Sequence, residues 1–202
     1  MSLDHVLWLG GSACAGKTSV ARLVAAELGL TLYSCDDHFE AHRRRANPAR
    51  HPAFHRLMDA PMEELWIQPA AVQAEDLLRF YEEEIDMVFE DLAALPEPVL
   101  AEGVGLLPER IAAVCPDPRR AVWLISTPDF RRRTYPERGA FVRELLKRCP
   151  DPEQAFARWM ERDDRIAGRL AEEARRSGLE VITVAGDRSL QETAWKLAER
   201  FR

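Results

Sequence analysis

The residues with the clearest chemical purpose lie in the stretch "GSACAGKTS". There Gly11, Gly16, Lys17 and Thr18 fit the pattern G-x-x-x-x-G-K-[ST]. Glycines let a backbone curl until successive N–H groups point inward at an anion. On this reading Gly11, Ser12, Ala13, Cys14, Ala15, Gly16, Lys17, Thr18 and Ser19 form a cradle for the phosphates of a nucleotide. Lys17 would bring positive charge to the β and γ phosphates, and the Thr18 hydroxyl would ligate Mg²⁺. A helix opening at this point adds its positive dipole end. The loop leaves open what becomes of the phosphate: hydrolysis to drive motion, retention as a switch signal, or transfer to a second molecule.

Other charged residues bear on that choice. Asp36 and Asp37, in "SCDD", follow an apolar stretch directly. A carboxylate there can orient a hydroxyl and take its proton, although an ordinary turn also favours aspartate. Asp36 is the favoured base, with Asp37 the alternative. Glu102 closes "VLAEG", where it would hold Mg²⁺ through water or position a second substrate. Arg158, Arg162, Arg165 and Arg169 recur at intervals of four, three and four, which lines them along one helix face. Guanidinium groups keep their charge and bond phosphate oxygens in pairs, so Arg162, Arg165 and Arg169 are candidates to stabilise a phosphoryl group in flight. Glu161, Asp163 and Asp164 offer them salt-bridge partners instead.

The segment "HFEAHRRRANPARHPAFHR" contains two histidine pairs, His38/His42 and His51/His55, at the i, i+4 spacing of helical metal ligands. Pro48 and Pro52 interrupt it, and its arginines would repel a cation. Recognition of an anionic acceptor, or an exposed basic loop, suits it better. Phe54, Trp66, Phe80 and Tyr81 could stack on a planar acceptor or simply pack.

Positioning these groups requires a scaffold, and its pattern is regular. Apolar runs at Val6–Leu9, Thr31–Ser34, Val99–Ala101, Ala121–Ile125 and Val181–Val184 read as five buried strands. Helical patterns alternate with them, which predicts an α/β fold with a parallel sheet covered on both faces. One helix should span Lys17 to Leu28 and end at Gly29. In the last, Ser189 and Glu192 form a capping box, and Leu190, Ala194, Leu197 and Phe201 share a face. Long connections at 37–98 and 127–178 interrupt a single domain of residues 1–202. In the first, Leu78, Tyr81, Ile85, Phe89 and Leu92 keep helical spacing, with Pro69 in the helix's first turn. The second begins with Thr127 as a helix cap and Pro128 at the first helical position.

Composition excludes little. A formal net charge of −6 argues against broad nucleic-acid binding. No apolar run reaches membrane-span length, and the start lacks signal-peptide features, so a cytoplasmic, membrane-free protein is expected. Cys14, Cys35, Cys115 and Cys149 show no zinc-like spacing and read as reduced thiols.

The loop, "SCDD", "VLAEG" and the arginine-bearing segment together resemble the small P-loop kinases. That group includes nucleoside, nucleotide, shikimate and gluconate kinases and chloramphenicol phosphotransferase. The resemblance implies a three-layer P-loop fold with a five-stranded parallel sheet, a helical acceptor-binding insertion at 37–98 and a helical lid at 127–178. It also implies ATP and Mg²⁺ as cofactors and a small-molecule phosphoryl acceptor as partner. Glu102 departs from the aspartate commoner at a metal-binding strand end. A GTPase switch would need N/T-K-x-D, which is lacking, and a motor ATPase usually carries Asp-Glu where this chain has "AEG". A nucleotide-sensing module shares the loop and stands as the non-enzymatic alternative. Neither the acceptor nor the oligomeric state is written in any motif.

Overall fold

The computed structural model describes residues 2–96, 98–138 and 140–202. Among these residues the strands are β1 (Val6–Gly11), β2 (Thr31–Ser34), β3 (Val99–Glu102), β4 (Ala121–Ser126) and β5 (Glu180–Val184). The helices are α1 (Lys17–Leu28), α2 (Cys35–Arg45), α3 (Pro52–Asp59), α4 (Met62–Ile67), α5 (Ala70–Ala94), α6 (Pro108–Val114), α7 (Pro128–Thr134), α8 (Ala140–Lys147), α9 (Pro152–Arg176) and α10 (Leu190–Phe201). All strand pairs are parallel, in the order β2-β3-β1-β4-β5.

The strands are apolar throughout because both faces of the sheet are covered. Successive side chains leave a strand on opposite sides. Val6 and Trp8 of β1 therefore enter one core, with Trp123 of β4 and Ala101 of β3. Leu7 and Leu9 enter the other, with Leu124 and Leu100. Ile85, Leu92, Ile166 and Leu170, from α5 and α9, close the first core, and Val20, Val24 and Leu197, from α1 and α10, close the second. The result is the expected three-layer α/β architecture.

Local sequence explains the helix ends. Gly29 takes φ +66° at the end of α1 and donates its N–H to Ala25 O, a conformation costly for other residues. Thr127 accepts from the Phe130 N–H with Pro128 behind it, and Ser189 and Glu192 close a reciprocal capping box on α10. Pro69 stands one position earlier than expected, as the residue capping α5.

The two long connections are less separate from the core than the sequence suggests. Leu78, Ile85, Phe89 and Leu92 make α5 a wall of the first core, and Ile166, Ala167, Leu170 and Ala174 do the same for α9. The shorter helices lie against these two: α3 packs on α5, and α4, α7 and α8 pack on α9.

Strand order fixes where a ligand can sit. After β1 the chain goes to β2 and β3 on one side, then crosses to β4 and β5 on the other. The crevice at such a switch point, outside the carboxyl ends of the strands, is where open α/β sheets bind ligands. Gly11 ends β1 there, and Glu102 stands in register with both Leu9 and Ser34.

Candidate functional site

The loop between β1 and α1 is built for close backbone approach. Gly11 has φ +131°, and a Cβ there would lie 2.0 Å from the Leu124 carbonyl oxygen. Gly16 caps α1 at φ +76°, and no side chain caps the first helical turn. An anion is thus left to meet those amides and the positive helix end. Lys17 is buried and its Nζ donates to the Ser12 carbonyl at 2.8 Å, which folds the ammonium back over the loop. These features fit a chain of phosphates.

The loop is bolted to the end of β4. Ser12 Oγ and Ser126 Oγ lie 3.0 Å apart, the Ser126 N–H donates to Ser12 Oγ at 2.9 Å, and Ser126 Oγ donates to the Ala13 carbonyl at 2.7 Å. Arg131, only 1% exposed, donates through Nε to Ser126 Oγ at 3.1 Å and through Nη2 to the Ser126 carbonyl at 2.7 Å. Its other nitrogen pairs with Asp164. Sequence reasoning missed this brace. Its one local signal was the strand end "IST", because the Arg131 partner Asp164 lies 33 residues away.

Beside the loop, Thr18 Oγ1 donates to Glu102 Oε1 at 3.0 Å, and Ser34 Oγ donates to the same oxygen at 2.7 Å. Glu102 is only 2% exposed. The carboxylate and the Thr18 hydroxyl form an oxygen-donor pair next to the phosphate cradle, which suits a hard cation such as Mg²⁺. Among the described residues no cluster of three or more His, Cys, Asp or Glu side chains forms a separate metal site.

A cleft of about 710 Å³ opens over these groups. Asp36 lines it from the first turn of α2, which starts directly after β2. Asp37 is exposed and does not line it, since adjacent helical residues face directions about 100° apart. Arg162 lines the cleft, whereas Arg165 and Arg169 do not. Arg165 pairs with Glu161, and Arg169 with Glu173 and Glu75, all at the surface. Arg158 reaches the Ile67 carbonyl at 2.7 Å. The spacing did put these arginines on one helix, but only one turn of it meets the cleft.

Arg162 is held in place. Its Nε and Nη2 donate to Asp163 Oδ1 at 2.8 and 2.7 Å, and its guanidinium lies 5.0 Å from the Trp66 ring and 5.5 Å from the Trp159 ring. Tyr135 donates to Asp163 Oδ2 at 2.6 Å and accepts from the Trp159 indole at 2.9 Å. Burial pushes the phenols of Tyr135 and Tyr81 well above their ordinary range, so both stay protonated donors. Tyr81, Tyr135 and Asp163 line the cleft and had no motif to announce them.

The basic segment does not line the cleft. His42 is wholly buried, with Nδ1 2.9 Å from Glu84 and Nε2 3.0 Å from Asp91. His38 stacks on Tyr33, while His51 and His55 bond to backbone atoms of Asn47 and Ala46. Phe54 and Phe80 stack on each other in a small core of their own, and Trp66 packs on Trp159. All four cysteines are thiols outside any disulfide, and burial followed by the nearby carboxylates raises the Cys35 thiol far above its usual range. No helix among the described residues is long and apolar enough to cross a membrane.

The chain matches no family model and, at the sequence level, no curated protein. Its structure is similar to solved kinases. Shikimate kinase from Acinetobacter baumannii, in complex with shikimate, superposes with a TM-score of 0.51 at 18% identity, over 96% of this chain and 90% of that one. Shikimate kinase from Aquifex aeolicus gives 0.44 at 18% identity, over 96% and 95%. The first of these likenesses bears out the expected small P-loop kinase fold across nearly the whole chain.

Proposed function

We propose that this protein is an ATP-dependent kinase that transfers the γ-phosphoryl group to a small hydroxyl-bearing molecule. The observation that carries this reading is one cleft holding the phosphate loop, the Thr18–Glu102 pair, Asp36 and a propped Arg162. A module that only sensed nucleotide would need the loop but neither the carboxylate nor the arginine beyond it.

In this reading the Gly11–Thr18 amides and Lys17 bind the donor's phosphates, and Thr18 and Glu102 hold Mg²⁺. When bound, the metal offsets charge on the β and γ phosphates. Asp36 orients the acceptor hydroxyl and takes its proton. The acceptor oxygen bonds to the γ-phosphorus as the bond to the β–γ bridging oxygen breaks, and ADP leaves. Arg162 neutralises charge on the moving group, its guanidinium aimed in advance by Asp163, Trp66 and Trp159. The Ser126–Arg131 brace keeps the loop rigid through this step.

The test is ADP formation from MgATP across a panel of hydroxyl-bearing metabolites, for the wild type and Lys17→Ala. The kinase reading expects turnover that requires a particular acceptor and vanishes in Lys17→Ala. Fast hydrolysis with no acceptor, or tight MgATP binding with no turnover on any member, refutes it.

A further inference from the structure

Strand order divides the cleft in two. The connection after β5 supplies Gly186, Arg188 and Ser189 at one end, beyond the phosphate loop. The β2 side supplies Asp36, and Leu77, Tyr81, Val104 and Ile166 complete that end. With phosphates on the loop between them, the nucleoside belongs to the β5 side and the acceptor to the β2 side.

The charges of the acceptor end are unbalanced. Of the three carboxylates there, Asp163 is paired with Arg162 and Glu102 accepts from the Thr18 and Ser34 hydroxyls, which leaves Asp36 without a cation. The cations lining the whole cleft, among the described residues, are Lys17, Arg162 and Arg188. Lys17 belongs to the phosphate loop and Arg188 to the opposite end. Arg162 is paired with Asp163 at 2.7 Å and, in the reading above, serves the transferring phosphoryl group. In the neighbouring basic segment Arg43 pairs with Glu40, Arg45 with Glu90 and Asp91, and Arg56 with Asp76, while Arg44 and Arg50 are exposed and do not line the cleft.

Two polar groups at this end are uncommitted. The Asp36 carboxylate and the Tyr81 hydroxyl have no hydrogen-bond or ion-pair partner among the described residues, and both line the cleft. One accepts a proton and the other can donate one, so together they suit alcohol oxygens. Around them the walls are apolar. Among the described residues, a carboxylate or phosphate on the acceptor would meet no cation beyond Lys17 and Arg162, both already engaged. It would sit beside Asp36 and the donor's own phosphates, where losing water without a counter-charge is costly.

From this arrangement we infer that the acceptor is an uncharged alcohol with an apolar face, and that acceptors bearing a carboxylate or phosphate are rejected. The inference rests on the kinase reading above. It is tested with matched acceptor pairs that differ only in charge: a nucleoside and its 5′-monophosphate, glucose and gluconate, methyl shikimate and shikimate. ADP release from MgATP is measured for each, with MgATP affinity followed separately by calorimetry. The expected result is acceptor-dependent turnover on an uncharged member, with kcat/KM at least about tenfold above its anionic partner. Equal or faster turnover on the anionic members overturns the inference and leaves the kinase reading standing. Intact MgATP binding with no turnover on any member overturns both.

Discussion

Replacing His42 by alanine tests how the site is held. His42 is 0% exposed and joins α2, which carries Asp36, to Glu84 and Asp91 of α5. Glu84 is itself buried, and His42 is its hydrogen-bond partner at 2.9 Å. Removing the imidazole strands that carboxylate, and breaking a buried ion pair from one side costs about 3–5 kcal/mol. At roughly 2–4 °C per kcal/mol for a domain of this size, Tm should fall by roughly 6–20 °C in a melt followed by circular dichroism. Adding Glu84→Gln removes the stranded charge, so the double variant should lose less than the sum of the single losses, by about 0.5–3 kcal/mol. His42→Ala should also lower turnover, because α2 is no longer pinned where it presents Asp36. A loss under about 1 kcal/mol, or strict additivity of the two substitutions, would refute the idea that this pair clamps α2.

The same clamp sets a pH dependence. Burial disfavours the His42 cation, but its bonds to Glu84 and Asp91 outweigh this and lift its pKa above the ordinary 6.5. Its contribution is therefore complete below about 6.5 and fades as pH rises through the folded value, which denaturant melts across neutral to alkaline pH would detect. Asp91 is pushed up by burial, yet Arg45 and then His42 hold it below 3.8, so its share is lost only as pH falls through that lowered value. Arg162→Ala should slow turnover at least about tenfold with MgATP affinity nearly kept, whereas Arg165→Ala and Arg169→Ala should stay within about twofold in the same steady-state assay. Gly11→Ala should abolish MgATP binding in calorimetry, since its Cβ would lie 2.0 Å from the Leu124 oxygen.

What the sequence disclosed was local. The tight β1–α1 loop is spelled by glycine spacing within eight residues, and the strands are continuous apolar runs because both faces of the sheet are buried. Caps at Thr127 and Ser189 are likewise written within three residues of their partners. What it hid depends on contacts across the chain. Periodicity placed Arg162, Arg165 and Arg169 on one helix face, but which turn of that helix meets the cleft follows from how α9 packs. The segment of His38 and His42 reads as an anion-binding or exposed basic loop, whereas the partners that define His42 lie 42 and 49 residues away. The links that tie Ser126 to Ser12 and Arg131 to Asp164, 114 and 33 residues apart, were hidden for the same reason.

The central claim is transfer, with Asp36 as the base. Its most direct measurement follows radiolabelled γ-phosphate from MgATP in a single turnover with the acceptor identified by the panel, in the wild type and in Asp36→Asn. The label should move onto the organic acceptor in the wild type. Asp36→Asn should bind MgATP as well as the wild type does and transfer at least tenfold more slowly, about 1.4 kcal/mol in the barrier. Label released only as inorganic phosphate, or transferred at full rate by Asp36→Asn, would contradict the account.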